Sequence, residues 1–349
     1  IDTLWDIAKA EVEKKENLEG NGDGVEVWEK SLLFMGNKNG VTYTVSSLDR
    51  DEIPKPTLAL EYTFGRRAKG HNRPKDIAHF WELGGGTSLL DLICIPITND
   101  NIRTFAIILV LDLSKPNELW PTMDSLLQVT RNHVDKIITK LGKTNPKVAT
   151  EIKQRTWNNM PKDHPDHELI DPFPIPLVII GSKYDIFREF DSEMRKIMCK
   201  TLRFVSHYYG ASLVVSVFDR YLITNMNFFS FFNLFSKSIS VDQNKPLFIP
   251  AGLDSLNQIG PPPASDSDIG KLHAHTPVDL WKKIYEKTFP PKSTRDLKDV
   301  SDPAQDTQYA EYEVDAMRTQ KNQVHYSSSN KGWVQYLGVP FQQYNTKLA

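Results

Sequence analysis

Up to about residue 245, short apolar runs that end in glycine or aspartate alternate with stretches in which apolar residues recur every three or four positions. The runs are typical of buried strands and the stretches of amphipathic helices. Helices are predicted at residues 4–12, from Pro121 in a first turn to Gly142, and at 192–209. Strands are predicted at 31–35, 77–83, 104–111, 177–180, 212–217 and, at an edge, 58–64. This alternation predicts an α/β fold with a mostly parallel six-stranded sheet covered by helices on both faces.

Beyond residue 245 the pattern changes, because prolines cluster and one strong amphipathic helix, residues 277–289, stands out. After Lys292 the chain is polar, which is typical of a disordered or partner-wrapping arm. The predicted parts are an N-terminal helix and linker (1–27), a sheet domain (28–245), a partner-binding extension (246–292) and an extended C-terminal tail with little regular structure (293–349).

Composition narrows the function classes. The 349 residues carry 42 Lys and Arg against 44 Asp and Glu, so no global charge favours nucleic acid or a membrane surface. Only two cysteines occur, which excludes a disulfide framework and a cysteine-based zinc site. The chain has no apolar run long enough for a membrane span, and its first residues do not form a signal peptide. We expect a soluble intracellular protein.

Four turns follow four of the strands in the order in which P-loop GTPases use them. The first runs from Gly36 to Thr44, where a working loop needs a Lys for the phosphates and a Ser or Thr for Mg²⁺. Counted from Gly36, these positions hold Thr42 and Tyr43, so the phosphate clamp is absent. The residues left as vestigial nucleotide-binding candidates are Gly36, Gly40 and Thr44.

The other three turns match in part. Glu82 occupies the position of the aspartate in Asp-x-x-Gly, and Ser182-Lys183-Tyr184-Asp185 resembles the Asn-Lys-x-Asp that reads guanine. In this motif the Asp185 carboxylate is suited to accept hydrogen bonds from the guanine base, and the stem of the Lys183 side chain is suited to stack on the base. Ser182, however, stands where the motif has Asn. The loop at 217–220 is bulky where a small one is expected. The order favours GTPase ancestry without GTPase chemistry, so we expect no catalytic residues and no cofactor, with GDP or GTP as an open alternative.

Two histidine-containing segments suggest metal ligands, namely residues 163–168 and His273-Ala274-His275. Neither has helical ligand spacing or an identifiable third ligand, so we predict no metal site and a solvated loop at 163–168. The phenylalanine-rich run 228–235 is either a core helix or an exposed partner-binding face.

The run from Arg66 to Lys75 has five positive charges and no acid. It is either a solvated loop or a docking patch for an acidic protein surface. Nucleic acid is disfavoured, because no aromatic stacking residues are interleaved.

Longer stretches carry a resemblance to a known family. They include Lys55-Pro56-Thr57-Leu58-Ala59-Leu60-Glu61-Tyr62, Phe80-Trp81-Glu82-Leu83-Gly84-Gly85-Gly86-Thr87 and Leu109-Val110-Leu111-Asp112-Leu113-Ser114-Lys115-Pro116. Residues 157–173, 181–185, 241–246 and 272–292 extend the resemblance to roughly three quarters of the chain. On these residues the chain resembles the dynein light intermediate chain family, in its cytoplasmic dynein 2 branch. Two stretches depart from the family pattern, at residues 41–47 and 214–237.

The resemblance implies a Ras-like GTPase domain repurposed as a non-catalytic subunit. It implies binding to the tail of the dynein 2 heavy chain, with other dynein 2 subunits and intraflagellar transport particles as further partners. The implied process is retrograde intraflagellar transport and cilium assembly, in the cytoplasm, the cilium with its axoneme, the basal body and the centrosome. The alternative is a slow or GDP-holding GTPase-like regulatory protein with Thr44 on Mg²⁺ and Asp185 on the base.

Three side chains are candidates for contact with a partner. Trp281 is an aromatic anchor on the helix at 277–289, outside the sheet pattern. Arg66 and Arg67 begin the basic run. We expect these three side chains to contact the heavy chain.

Overall fold

The structure is a computed structural model of the chain. It describes residues 29–37, 57–67, 76–157, 160, 162–216, 239–263, 273–291, 312–314, 316–317 and 319–321. Residues 1–291 form one compact unit and residues 292–349 a second, whose described residues are helical and exposed. The helix predicted at 4–12, the run 228–235 and the loop at 217–220 lie outside the described residues.

Seven strands form a single sheet in the order β2-β3-β1-β4-β5-β6-β7. The central strands are parallel, whereas β2 and β7 pair antiparallel at the two edges. The strands are β1 (Glu29–Gly36), β2 (Leu60–Arg67), β3 (Asp76–Leu83), β4 (Phe105–Asp112), β5 (Leu177–Ser182), β6 (Ser212–Val215) and β7 (Leu247–Ile249). The six predicted strands are therefore confirmed within a few residues.

The central strands are apolar without interruption because both faces of the sheet are buried. Every residue of β4 is buried, and alternate residues enter two different clusters. Ile107 and Leu109 join the larger cluster beneath the helices, and Ile108 and Val110 join a cluster on the opposite face. A side-chain period of two thus gives both faces of β4 an apolar surface.

The helices follow the strands along the chain. They are α1 (Pro116–Thr144), α2 (Pro146–Trp157), α3 (Tyr184–Phe187), α4 (Ser192–Tyr208), α5 (Leu256–Ile259) and α6 (Pro277–Thr288), with 3₁₀ helices at Leu90–Cys94 and Ile102–Thr104. Pro116, rather than Pro121, lies in the first turn of α1, and Pro121 lies inside the helix. Pro116 is suited to this place because a first-turn amide needs no helical partner. No helix in the described part of the chain is both long and apolar enough to cross a membrane.

The segment predicted as an extension is part of the sheet domain. β7 pairs with β6, and α6 packs against α1 and α4. The Trp281 ring stacks on Phe204 of α4 at 4.5 Å between centroids. The Tyr285 hydroxyl donates to the carbonyl of Pro116 at 3.0 Å. The sequence pattern missed β7 because its apolar run is only three residues long.

A candidate site at the carboxyl edge of the sheet

The carboxyl ends of the parallel strands β1, β3, β4 and β5 meet at one edge of the sheet, where α/β folds bind their ligands. The chain leaves these strands at Gly36, Leu83, Asp112 and Ser182. Gly36 lies opposite Val110, and Asp112 lies opposite Ser182, in the registers of their neighbouring strands. The structure therefore brings the predicted residues Gly36, Ser182, Lys183 and Asp185 to the same edge. Gly40 and Thr44 lie outside the described residues.

Asn37 fixes the exit of β1 against β4. Its backbone N–H donates to the carbonyl of Val110 at 3.2 Å. Its side-chain Oδ1 accepts from the amide of Asp112 at 3.0 Å, and its Nδ2 donates to Thr122 Oγ1 at 3.3 Å. A Cβ on the preceding Gly36 would lie 1.8 Å from the Val110 oxygen, so only glycine fits there. The start of the first turn is thus anchored by contacts within the protein.

Asp112 is a buried carboxylate at the centre of this edge. Its Oδ1 accepts from the Ser114 amide at 3.0 Å and from the Ser114 hydroxyl at 2.5 Å. Its Oδ2 lies 2.9 Å from Lys183 Nζ. Burial opposes ionisation, but hydrogen bonds from Ser114 and Lys183 and the charge of Lys183 together lower the pKa of Asp112. The carboxylate is ionised and paired.

The turn after β5 directs its side chains in two ways. The backbone of Lys183 has φ 56° and ψ 45°, the left-handed conformation that residues other than glycine seldom adopt. The Ser182 hydroxyl donates to the carbonyl of Leu111 at 3.1 Å. Ser182 and Lys183 are thus both tied to the end of β4, whereas Asp185 is exposed to solvent.

The turn after β3 is closed by the chain itself. Glu82 is buried, and the Gly84 amide donates to the carbonyl of Ala59 at 2.6 Å. A Cβ on Gly84 would lie 2.2 Å from the carbonyl oxygen of Thr57. Residues 57–59, which lead into β2, therefore occupy the space directly beside this turn.

Most of the described polar groups at this edge satisfy one another. The lysine expected to stack on a base is paired with Asp112, and the Ser182 hydroxyl is bound to a carbonyl. Asp185 is the predicted site residue whose carboxylate stays open to solvent. Sequence reasoning missed Asn37 and Asp112 as site residues. Their one signal is that each stands at the carboxyl end of a buried strand.

The loop predicted as solvated contains a buried network instead. His207 of α4 donates from Nε2 to Asp166 Oδ2 at 2.8 Å, and the Leu256 amide donates to the same oxygen at 2.8 Å. His164 Nδ1 accepts from the Asp166 amide at 3.2 Å, and its Nε2 bonds the carbonyl of Asp254 at 3.0 Å. Buried polar groups need such partners, and α4 and residues 254–256 supply them.

His164, Asp166 and His207 offer three possible metal-ligand atoms within 4.8 Å of one another. The Nδ1 lone pair of His164 already accepts a backbone amide, and Asp166 Oδ2 already accepts two hydrogen bonds. Burial lowers the pKa of His207 although Asp166 favours its charged form. The geometry is that of a hydrogen-bonded link between the loop, α4 and α5.

The three expected partner contacts lie in different settings. Arg66 is exposed on the edge strand β2, with its guanidinium 4.9 Å from the centre of the Phe64 ring. Arg67 ends β2, and its side chain lies outside the described residues. Trp281 is 5% exposed, and its indole packs in the core against Phe204.

Comparisons with known proteins show which family the chain is similar to. The family model for dynein light intermediate chains matches residues 26–168. The chain is 66% identical over 343 residues to cytoplasmic dynein 2 light intermediate chain 1 of Bos taurus, covering 96% of this chain and 98% of that one. The human protein of the same name is 65% identical with the same coverage. The Danio rerio protein is 53% identical over 92% of this chain and 93% of its own length.

A solved structure shares the fold. It is the crystal structure of the conserved domain of a dynein light intermediate chain, with a TM-score of 0.54 and 15% identity. The structural match covers 76% of this chain and 99% of the chain in that crystal structure. The predicted Ras-like, P-loop GTPase-type fold is therefore confirmed.

Proposed function

The chain belongs to the dynein light intermediate chain family, and from this premise we propose that it is a non-catalytic subunit of the cytoplasmic dynein 2 motor. Its proposed task is to bind and stabilise the tail of the heavy chain for retrograde intraflagellar transport and cilium assembly. Other dynein 2 subunits and intraflagellar transport particles are its further proposed partners. The proposed locations are the cytoplasm, the cilium with its axoneme, the basal body and the centrosome.

The observation that carries this proposal is that the sequence identity extends over nearly the full chain. Identity of 65–66% over 96% of the chain includes the sheet domain and the segments after it. Relatives that share one domain often differ in function, but a likeness over the whole chain also retains the surfaces outside that domain. The relatives' name states membership of the dynein 2 motor, and we extend that membership to this chain.

The carboxyl edge supports a non-catalytic role. A GTPase needs groups free to contact phosphates, magnesium and an attacking water. Asn37, Asp112 and Lys183 are instead engaged with one another, with the backbone or with neighbouring side chains. Each of these contacts would have to break before its group could bind a nucleotide.

Co-purification tests the proposal. The full chain is co-expressed with the tail of the dynein 2 heavy chain, and the mixture is separated by size-exclusion chromatography. We expect the two proteins to elute together and the tail to be more soluble than when expressed alone. The tail of the dynein 1 heavy chain is the control. Separate elution of the dynein 2 tail, or equal binding of both tails, would contradict the proposal.

One observation favours the second candidate, a GDP-holding protein: Asp185 stays exposed beside Lys183. The chain is purified gently and denatured, and the supernatant is analysed by ion-exchange chromatography. One GDP or GTP per chain, lost in Asp185→Ala, would support this alternative. If the purified protein contains no nucleotide, the result contradicts this alternative and supports the scaffold role.

A further inference from the structure

Positive charge is concentrated on the second half of α1 and on α2. Residues 131–157 contain seven Lys and Arg against two Asp and Glu. Five of the seven are lysines that are exposed to solvent, here called the lysine surface: Lys136, Lys140, Lys143, Lys147 and Lys153. The chain as a whole has a net charge of −2, so its remainder is acidic and the positive charge is local to these two helices.

Both acidic side chains of this region are already paired with arginines. The Glu151 carboxylate accepts two hydrogen bonds from Arg103 Nη2, at 3.0 and 3.1 Å. The Asp135 carboxylate lies 4.0 Å from Arg131 Nε, one helical turn away. Among the described residues, no carboxylate forms an ion pair with any lysine of the lysine surface. Within that part of the chain, the charge of the five lysines is therefore uncompensated.

The lysine surface lies on a helical projection. The 29 residues of α1 make it about 43 Å long, whereas the eight residues of β4 span about 26 Å. The last turns of α1 therefore extend past the sheet, and α2 packs against them. Glu151 of α2 pairs with Arg103, which comes directly before β4. The projection is thus at the amino end of β4, opposite the edge that holds Asp112 and Lys183.

The stability of the helices does not account for these lysines. Lys136, Lys140 and Lys143 have the spacing i, i+4, i+7, so they line one face of α1 over about 10 Å. A cation stabilises the last turn of a helix and destabilises the first turn. Lys147 nevertheless lies in the first turn of α2, which contains no acidic residue. A lysine that opposes the helix dipole and has no described ion-pair partner is suited to a contact outside the chain.

The surroundings of the lysines narrow the class of partner. Within residues 131–157, Trp157 is the one large apolar side chain that is exposed, so little apolar surface is available to enter a membrane. Lys147 and Lys153 are six residues apart and point about 120° apart around α2. A flexible segment can follow lysines around two helices, whereas a flat bilayer contacts one side. A long polyanion such as a nucleic-acid duplex would also meet the acidic remainder of the chain.

We propose that the lysine surface binds a flexible segment of a partner protein that is rich in glutamate and aspartate. Carboxylates of the segment pair with the lysine ammonium groups in several arrangements, because neither partner fixes a single geometry. The contact is therefore of moderate affinity and strongly weakened by salt. This inference goes beyond the proposed function, because it requires no contact with the tail of the heavy chain.

Peptide binding to the full chain tests the inference. The probe is a fluorescently labelled twelve-residue peptide that repeats Glu-Glu-Gly, and its anisotropy is measured as the chain is added. We expect the affinity to fall about tenfold when the salt concentration rises from about 50 to about 200 mM. A peptide that repeats Gln-Gln-Gly is the control and should not bind.

Two triple variants with equal charge locate the contact. Lys136→Gln, Lys140→Gln and Lys143→Gln together remove the row on α1 and keep residues that favour a helix. We expect this variant to bind the acidic peptide about tenfold more weakly, with a smaller dependence on salt.

The matched control removes three positive charges elsewhere, by Lys115→Gln, Lys196→Gln and Lys245→Gln. Each of these lysines already lies within 4.0 Å of a carboxylate of the protein. This variant should bind the acidic peptide within about twofold of the unsubstituted chain. Circular dichroism shows whether both variants are folded.

Reductive methylation of the unsubstituted chain gives a test that no folding defect can affect. Methylation is followed by mass spectrometry with and without the acidic peptide. Lys136, Lys140 and Lys143 should be methylated more slowly when the peptide is bound, and Lys196 and Lys245 at an unchanged rate.

Several results would overturn the inference. They are the absence of peptide binding at about 50 mM salt, equal loss of affinity in both triple variants, and methylation that the peptide does not slow at the lysine surface. Binding to vesicles that contain phosphatidylserine, or to a DNA duplex, more tightly than to the acidic peptide would assign the surface to another class of partner and would overturn it too. The outcome is independent of co-purification with the heavy-chain tail, so either proposal can fail while the other holds.

Discussion

Lys183 Nζ lies 2.9 Å from Asp112 Oδ2, across the carboxyl ends of the adjacent strands β4 and β5. The lysine at the guanine-reading position of this fold is therefore paired with a carboxylate of the protein. Asp112 is 1% exposed and Lys183 32% exposed in their side chains, so the ion pair lies at the boundary of the core. The ion pair neutralises the charge of the lysine and ties the turn after β5 to the end of β4.

The first prediction concerns this pair. Lys183→Met leaves the buried Asp112 carboxylate with Ser114 as its remaining side-chain donor. We expect the free energy of unfolding to fall by about 1–3 kcal/mol, below the full cost of breaking a buried pair because Lys183 is partly exposed. Urea denaturation measures the change. Lys115→Met, at a more exposed lysine near Glu118, should change the free energy by less than about 0.5 kcal/mol. Equal changes in the two variants would contradict the prediction.

Much of the sheet could be predicted because its information is local. The runs ending at Asp112 and Gly181 are apolar, short and followed by turn residues, which is the pattern of strands buried on both faces. They could therefore be assigned as strands from the sequence. Their order along the chain was enough to place Ser182 and Lys183 near Gly36. The sequence did not determine the antiparallel strand β7, whose three residues fall among prolines.

The buried polar network could not be predicted from the sequence. His207 contacts Asp166, which is 41 positions away along the chain, and Leu256 contacts Asp166 across 90 positions. The residues at 163–168 look like a solvated loop until α4 and residues 254–256 are placed beside them. In the same way, the periodicity predicted α6 but did not say that Trp281 faces Phe204.

The second prediction concerns the exit of β1. Gly36→Ala places a Cβ about 1.8 Å from the backbone oxygen of Val110, which no side-chain movement relieves. We expect the variant to be insoluble or unfolded, because β1 is a central strand and its separation from β4 would expose the core. Soluble yield and circular dichroism give the result.

Gly142→Ala is the matched control for this substitution. Gly142 lies inside α1, and an added Cβ there meets no atom within 4 Å. Alanine favours a helix over glycine by roughly 0.5–1 kcal/mol, so this variant should be slightly more stable than the unsubstituted chain. A folded Gly36→Ala variant of normal stability would show that β1 and β4 separate without cost.

The third prediction concerns Trp281. Its indole is buried and stacks on Phe204 at 4.5 Å, with the two rings 7° from parallel. Trp281→Ala removes this contact and leaves a cavity between α6 and α4, so we expect a loss of about 3–5 kcal/mol in the free energy of unfolding. Thermal and urea denaturation measure it. Thr288→Ala, at the exposed end of α6, should leave the stability nearly unchanged.

This result also governs how binding data on Trp281 are interpreted. If Trp281→Ala lowers co-purification with the heavy chain, the loss should follow the loss of folded protein and disappear when folded fractions are compared. A folded, stable Trp281→Ala variant that no longer binds would instead identify the indole as a direct contact.

The last prediction is a pH dependence that originates at His207. Burial lowers its pKa below the usual 6.5, with Asp166 and Asp254 opposing this and His164 adding to it. Below pH 6.5 the unfolded chain therefore binds a proton that the folded chain resists, so stability falls as the pH decreases through this range. Well above pH 6.5 His207 is neutral in both the folded and the unfolded chain, so its titration does not lower the free energy of unfolding there. Urea denaturation between pH 7.5 and pH 5 should show this decrease.

His207→Gln isolates the contribution of this histidine. The glutamine amide can still donate to Asp166 Oδ2 but does not titrate, so the decrease in stability between pH 7.5 and pH 5 should be smaller than in the unsubstituted chain. The variant should also be less stable at pH 7.5, because glutamine fills the imidazole site less well. His273→Gln, at an exposed position, controls for the loss of a histidine. If His207→Gln and the unsubstituted chain lose stability equally, the acid sensitivity originates elsewhere in the protein.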